Sequence, residues 1–196
     1  SEEEKAALLN QADRIRVGMA GNLSTYRYVN RFGEVVDGGN EGIGYTLMPQ
    51  ETVNYLDKHD NETLWDNTQA KLPFSMEMDN RVRVHLLSNA FINYGQGVPF
   101  YQLGSDLLRS KSMDRDSYDS GDWYNAIDYT LETTRWGKGL PPAWRNEQSW
   151  DQLRIFMQNE NVNITSEHME FTREVFLDQM RVRYSSPLFR LQTAEE

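Results

Sequence analysis

Two groups of side chains in this sequence could do chemistry. His59 and Asp60 stand side by side in NYLDKHDNETLWDN (residues 54–67), where a half-apolar run carrying Tyr55 and Leu56 stops. Asp114, Asp116, Asp119 and Asp122 crowd into the later run MDRDSYDSGDWYN. A carboxylate can accept hydrogen bonds, move a proton or hold a cation, and an adjacent imidazole can donate to the same ligand. Taken alone, a His-Asp pair fits a helix or loop cap as well. The four aspartates invite a calcium reading, but an EF-hand loop wants Asp or Asn at position 5 and Gly at position 6. Counted from Asp114 those positions hold Tyr118 and Asp119, so that pattern fails, and only a calcium site of another kind stays open. Trp65, Trp123, Tyr124 and Trp136 suit stacking on a sugar ring, and equally suit local packing. His85 and His168 make no His-Glu-x-x-His pattern, and neither is assigned to a metal.

The rest of the composition narrows the classes. A net charge of −10 over 196 residues repels a phosphate backbone and argues against nucleic acid. There is no cysteine, which excludes disulfides, thiol catalysis and zinc-thiolate sites. Hydrophobic residues make up 38% and aromatics 12%, enough for a packed core. No stretch approaches the ~18 apolar residues of a membrane span, and SEEEKAALLN does not read as a signal peptide. Three formal glycosylation sequons, at Asn22, Asn61 and Asn163, read as chance matches. The acids at 2–4 read as a solvated helix start.

Certain elements must position these side chains. Residues 2–20 read as a helix, and the glycine-rich stretch 30–50 as a loop. A strand is expected over 53–58. Val82, Leu86, Ala90 and Tyr94 at i+4 spacing predict an amphipathic helix over 79–95. A nearly continuous apolar run predicts a buried strand over 97–103. A long loop region is expected over 105–163, and a last helix over 166–184 bearing Met169, Phe176, Met180 and Tyr184. Strand–helix alternation argues α/β, with parallel βα units and polar loops at the C-terminal strand ends. Those ends are where a (β/α)8 barrel keeps its active site, and His59-Asp60 falls just past one of them. Two such units cannot close a barrel, and open strand edges are a liability, so the sequence reads as part of a larger domain.

YLDKHDNETLWD resembles the fourth sequence motif of the α-amylase superfamily, in the form found in type I pullulanases and limit dextrinases. GSDLLRSKSMDRDSYDSGDWYN, RYSSPLFRL, DRIRVGMAGNL and WGKGLPP are similar to further stretches of the same starch-debranching enzymes, in the same order and over nearly the whole chain. The His-Asp-Asn triplet points only to the superfamily, whereas the Arg-Ser-Lys-Ser to Gly-Asp-Trp block points to the debranching subgroup. The resemblance implies the C-terminal portion of a catalytic TIM barrel, about its seventh and eighth strands with flanking helices. It is incomplete without the remainder of the barrel and ends before the β-sandwich domain of these enzymes.

The implied chemistry is retaining hydrolysis of α-1,6-glucosidic linkages in pullulan, amylopectin or limit dextrins. Such an enzyme uses a carboxylate nucleophile and a general acid roughly 5 Å apart. A third carboxylate strengthens its hold as positive charge develops, and the resemblance makes Asp60 that transition-state stabiliser. His59, Asp116, Asn61, Trp65 and Tyr118 are implied to contact the substrate. No segment resembles the motifs that carry the nucleophile and the acid. No cofactor or metal is expected in this segment, with calcium left open for the intact protein. The implied partner is an α-glucan, with no nucleic acid and no membrane span. The implied location is extracellular or cell-surface in bacteria and the plastid in plants. The rival reading is a non-catalytic α-glucan-binding protein or degenerate relative.

Overall fold

The computed structural model describes all of residues 1–196. In chain order the elements are α1 (Glu2–Met19), β1 (Arg27–Val29), β2 (Val35–Asp37), β3 (Val53–Asn54), α2 (Leu64–Lys71) and α3 (Met78–Tyr94). They continue with β4 (Val98–Pro99), α4 (Asp122–Asn125), α5 (Ala143–Asn146), α6 (Trp150–Met157) and α7 (Ser166–Ser185). Helix and sheet are mixed, and both sheets are two-stranded and open. No helix is long and apolar enough to cross a membrane. The chain divides into two compact units.

The first unit comprises residues 1–55, 90–100 and 179–196. Helix α1 starts on a capping box, in which the Ser1 hydroxyl accepts from the Glu4 N–H at 3.2 Å. β1 and β2 form an antiparallel hairpin inside the stretch read as loop. Its turn is shaped by the Asn30 side chain, which accepts from the N–H groups of Phe32 and Glu34 at 2.9 and 3.1 Å. β3 and β4 pair in parallel, Val53 opposite Val98 and Asn54 opposite Pro99. The N–H groups of Val98 and Phe100 supply the ladder, so Pro99 falls where no donor toward β3 is needed. Gly97 makes the approach feasible. Its φ is +88°, and a Cβ there would stand 2.6 Å from Thr52 Cγ2 and 2.9 Å from the Thr52 carbonyl. The Arg183 guanidinium then donates to the carbonyls of Asn93, Gly95 and Gly97 at 3.0, 2.6 and 3.0 Å, satisfying groups that the end of α3 leaves open.

Both expected strands are shorter than the apolar runs that suggested them. The 53–58 run pairs only over Val53–Asn54, and the 97–103 run only over Val98–Pro99. Val53, Tyr55, Val98, Phe100 and Leu103 are all well exposed, so the 97–103 run is not buried on both faces here.

The second unit comprises residues 56–89 and 101–178. Its core is Trp65, Val82, Leu86, Leu108 and Val162, with Met78, Trp136, Ile164 and Val175 against it. A smaller cluster joins Leu107, Leu131 and Met169. The segment 105–163 is not one loop, since α4, α5 and α6 lie within it. Helix α2 is capped by Thr63, whose hydroxyl accepts from the Asp66 N–H at 3.1 Å. Arg81, fully buried, donates to the carbonyls of Met76, Pro73 and Phe74 and to Gln69 Oε1, all within 2.8–3.1 Å. That network closes the connection between α2 and α3. His85 is also buried. Desolvation pulls its imidazole down to about 4, so the ring is neutral at pH 7, with Nε2 2.6 Å from the Ser105 carbonyl. It is a packing residue.

Candidate functional site

The turn carrying His59 and Asp60 is built from below. Asp57 is buried and accepts from the Leu64 N–H at 2.8 Å, tying the start of the turn to the first residue of α2. Asn61 takes φ +62°, a left-handed conformation that Asn tolerates better than most residues. The reversal leaves the His59 and Asp60 side chains 83% and 57% exposed. Lys58 Nζ is hydrogen-bonded to Asp60 Oδ2, and His59 Nε2 lies 3.5 Å from Oδ1. The Lys58 bond, with help from the nearby cations, holds the Asp60 carboxyl below the usual carboxylate range. Asp60 is therefore an anion at neutral pH, fit to accept hydrogen bonds and to stabilise positive charge, and unfit to donate a proton.

A second loop clamps this turn. Lys111 is buried, and its Nζ donates to the His59 carbonyl at 3.1 Å. The loop itself is strained, because Leu108, Ser112 and Met113 all take positive φ (56°, 52° and 62°) without being glycine. Asp66, fully buried on α2, offsets that strain. It accepts from Ser110 Oγ at 2.5 Å and from the N–H groups of Lys111 and Met113 at 2.8 and 3.1 Å. Burial is the largest influence on the Asp66 carboxyl and pushes it up to about 6.

Asp114 organises the third wall. Its Oδ1 accepts from the Asp116 N–H at 3.0 Å and from Asn146 Nδ2 at 3.2 Å, and its Oδ2 accepts from Ser120 Oγ at 2.6 Å. Asp116 thereby faces Arg145, with Oδ2 3.0 Å from Nε. Between these walls lies an open cleft of about 480 Å3, lined by Lys58, Asp60, Asn61, Arg115, Asp116, Arg145, Asn146 and Gln148.

The cleft brings together three expected site residues, Asp60, Asn61 and Asp116, from segments more than fifty residues apart. His59 stands beside Asp60 but outside the lining. Tyr118 is 73% exposed and packs edge-on against Trp144, ring centroids 6.3 Å apart. Trp65 is a correction. The helical phase of α2 turns its indole wholly into the core against Val82, Leu86 and Leu108, so it has no face to offer a sugar. Sequence reasoning missed Asp66, Lys111 and Arg145. Lys111 sits in the Arg-Ser-Lys-Ser block that marked the resemblance, yet nothing in its surroundings there signals a buried cation. A lining of both charge signs with amides suits a neutral, hydroxyl-rich ligand that donates and accepts at every edge.

Comparison with known proteins agrees with the block resemblance. Residues 131–196 match the family described as α-1,6-glucosidases, pullulanase-type, C-terminal. The chain is 42% identical, over 99% of its length, to chloroplastic pullulanase 1 of Arabidopsis thaliana, of which it covers 21%. It is 39% identical over 92% of its length to a pullulanase of Klebsiella aerogenes, covering 17% of that protein. The structure of Klebsiella pneumoniae pullulanase complexed with maltotriose superposes with a TM-score of 0.86 at 38% identity, over 91% of this chain and 17% of that one. The resemblance to pullulanase-type debranching enzymes therefore holds, and the chain spans about a fifth of the length of these relatives.

Proposed function

We propose that this chain is the part of a pullulanase-type debranching enzyme that carries the transition-state-stabilising aspartate and part of the glucan-binding cleft. The observation that carries the reading is the convergence of Asp60, Asn61 and Asp116 on one cleft, with Asp60 held ionised by Lys58. The intact enzyme hydrolyses α-1,6-glucosidic linkages with retention. Its nucleophile and proton donor come from other segments, and this chain contributes late strands of a (β/α)8 barrel. The parallel β3–β4 pair supports that placement, because parallel strands belong to sheets covered by helices.

In this reading the bond between the anomeric carbon and the leaving oxygen stretches, and positive charge grows at the anomeric carbon and ring oxygen. Asp60 accepts hydrogen bonds from hydroxyls of that ring, and those bonds tighten as the charge develops. His59 donates to a hydroxyl of the same ring, which polarises it toward Asp60. Asp116, oriented by Arg145, accepts from hydroxyls of the neighbouring glucose and fixes the chain in register, with Asn61 and Tyr118 as further contacts. Anchoring the neighbour converts remote binding into alignment at the bond that breaks.

The test is Asp60→Asn in the full-length protein. The expected result is a fall in kcat on pullulan of about 10²–10³-fold, with maltotriose binding retained. Near-normal kcat would remove Asp60 from the mechanism. A full-length wild-type protein that binds α-glucans without releasing reducing sugar would favour the non-catalytic binding protein instead.

A further inference from the structure

We infer that Trp144 and Tyr118 form an additional glucosyl-binding platform, just beyond the sugar that Asp116 holds, and that Arg145 links the two. The inference rests on the α-glucan reading above and extends it to Trp144, which the family resemblance did not indicate, and to the corner it makes with Tyr118, which the resemblance gave only as a contact. Both rings are open to solvent, Tyr118 at 73% and Trp144 at 52%, and they meet edge to face at 88°. Two aromatic faces at a right angle make a corner, and a pyranose offers the matching shape: apolar C–H faces with hydroxyls around the rim. The polar complement is present beside them. Arg145 Cζ lies 5.1 Å from the Trp144 ring centroid while Nε holds Asp116 at 3.0 Å, so one guanidinium spans from the platform to the cleft.

The corner is also rigid. Trp144 stands on α5, whose Asn146 donates to the Pro142 carbonyl at 3.1 Å and to the buried Asp114 at 3.2 Å. Tyr118 stands on the turn that Asp114 fixes through Ser120 and that Asn125 Nδ2 fixes through the Ser117 carbonyl at 2.6 Å. One buried carboxylate therefore sets both rings before any ligand arrives, which spares the ordering cost that weakens binding by loose side chains. Tyr118 is two residues from Asp116, at most about 7 Å of backbone, so the platform serves the adjoining ring of the same chain rather than a remote surface. The occupant is an α-linked glucan segment longer than the primary cleft alone accommodates.

The experiment compares maltose with maltohexaose binding by calorimetry, in the full-length protein carrying Asp60→Asn so that nothing is cleaved. Adding Trp144→Ala should weaken maltohexaose binding about three- to tenfold and maltose binding, which ends at the Asp116 sugar, less than twofold. Trp144→Phe should restore most of the loss, and Tyr118→Ala should weaken maltohexaose in the same direction. Because the rings support each other, the double alanine variant should lose less than the two single losses combined. Unchanged affinities for both sugars would overturn the inference, and an accompanying fall in Tm would show that the rings pack against protein. An equal loss for both sugars would also overturn it, by placing the rings in the primary cleft. Cleavage of pullulan by wild type together with a silent Trp144→Ala sinks this inference alone. Absence of any glucan binding in wild type sinks the functional reading beneath it.

Discussion

Asp66 makes the stability of the site pH-dependent, and its environment sets the size of the effect. Burial raises its carboxyl from the usual 3.8 to about 6 in the folded state. The closed 110–113 loop therefore holds that proton more tightly than an opened loop does. The resulting stabilisation is fully present below about 3.8 and is lost as pH rises through about 6. Linkage between those two values makes loop closure about tenfold more favourable at pH 5 than at pH 8, or about 1.4 kcal/mol. Proton uptake sacrifices no acceptor on the backbone. Oδ2 still accepts from Lys111 and Met113, while a protonated Oδ1 donates to Ser110 Oγ, which keeps a second lone pair for the Ser112 N–H 2.9 Å away. Asp66→Asn can reproduce that arrangement with its amide, so it should keep the loop closed and flatten the pH response. Hydrogen–deuterium exchange of peptides covering 110–116 in the full-length protein, corrected for intrinsic exchange, measures both. Wild type should gain about tenfold protection from pH 8 to pH 5, and Asp66→Asn should gain none. An unchanged slope in Asp66→Asn, or a flat wild type, would refute the argument. Asp66→Ala should leave three donors without their acceptor, at about 1–3 kcal/mol each, and the loop should exchange freely at every pH.

Lys111→Met removes both the bond to the His59 carbonyl and a charge that holds the Asp66 carboxyl down, so the midpoint of loop protection should move to higher pH in the same exchange experiment. Steady-state kinetics on pullulan should show about a tenfold lower kcat, as the turn bearing Asp60 loses its clamp. Gly97→Ala should destabilise the full-length protein by about 1–3 kcal/mol in urea unfolding, since its Cβ meets Thr52 at 2.6 Å. Gly121→Ala meets open space instead, but at φ +74° and ψ −177°, a region essentially confined to glycine, it should still lose about 1–3 kcal/mol through backbone strain alone.

Which parts of this molecule were legible in the sequence follows from what each residue faces. The core of α3 showed in its spacing, because Val82 and Leu86 meet an apolar neighbourhood and so had to be apolar. Helix α2 was hidden because its buried face is largely polar: Asp66, Thr68 and Gln69 turn inward to hydrogen-bond partners, and no apolar period survives. The β1–β2 hairpin was hidden because three-residue strands are too short for an alternation, and Val29 and Val35 both face solvent. Trp65 misled for the opposite reason. An indole in an acidic segment looks exposed until helical phase is known. Among the aspartates at 114–122, Asp114 turns inward to a backbone N–H, a hydroxyl and an amide, which the crowding of acids in the sequence does not reveal. The residues of the cleft were named by resemblance. That Asp60 and Asp116 face one space depends on Lys111, Asp66 and Asp114, buried charges whose partners lie 32 to 52 residues away in the chain.

The Asp114 bridge has a consequence for exchanging segments between relatives. Its partners sit at 116, 120 and 146, so a crossover placed between 120 and 143 pairs one parent's buried carboxylate with another parent's α5. Where the incoming residue at 146 cannot donate, Asp114 Oδ1 keeps the Asp116 N–H but loses its second donor, a bond to a buried carboxylate that contributes about 1.5–3 kcal/mol. Residues 114–146 therefore behave as one heritable cassette. Chimeras that keep it whole should fold, while those cut inside it should be less stable unless position 146 carries a donor.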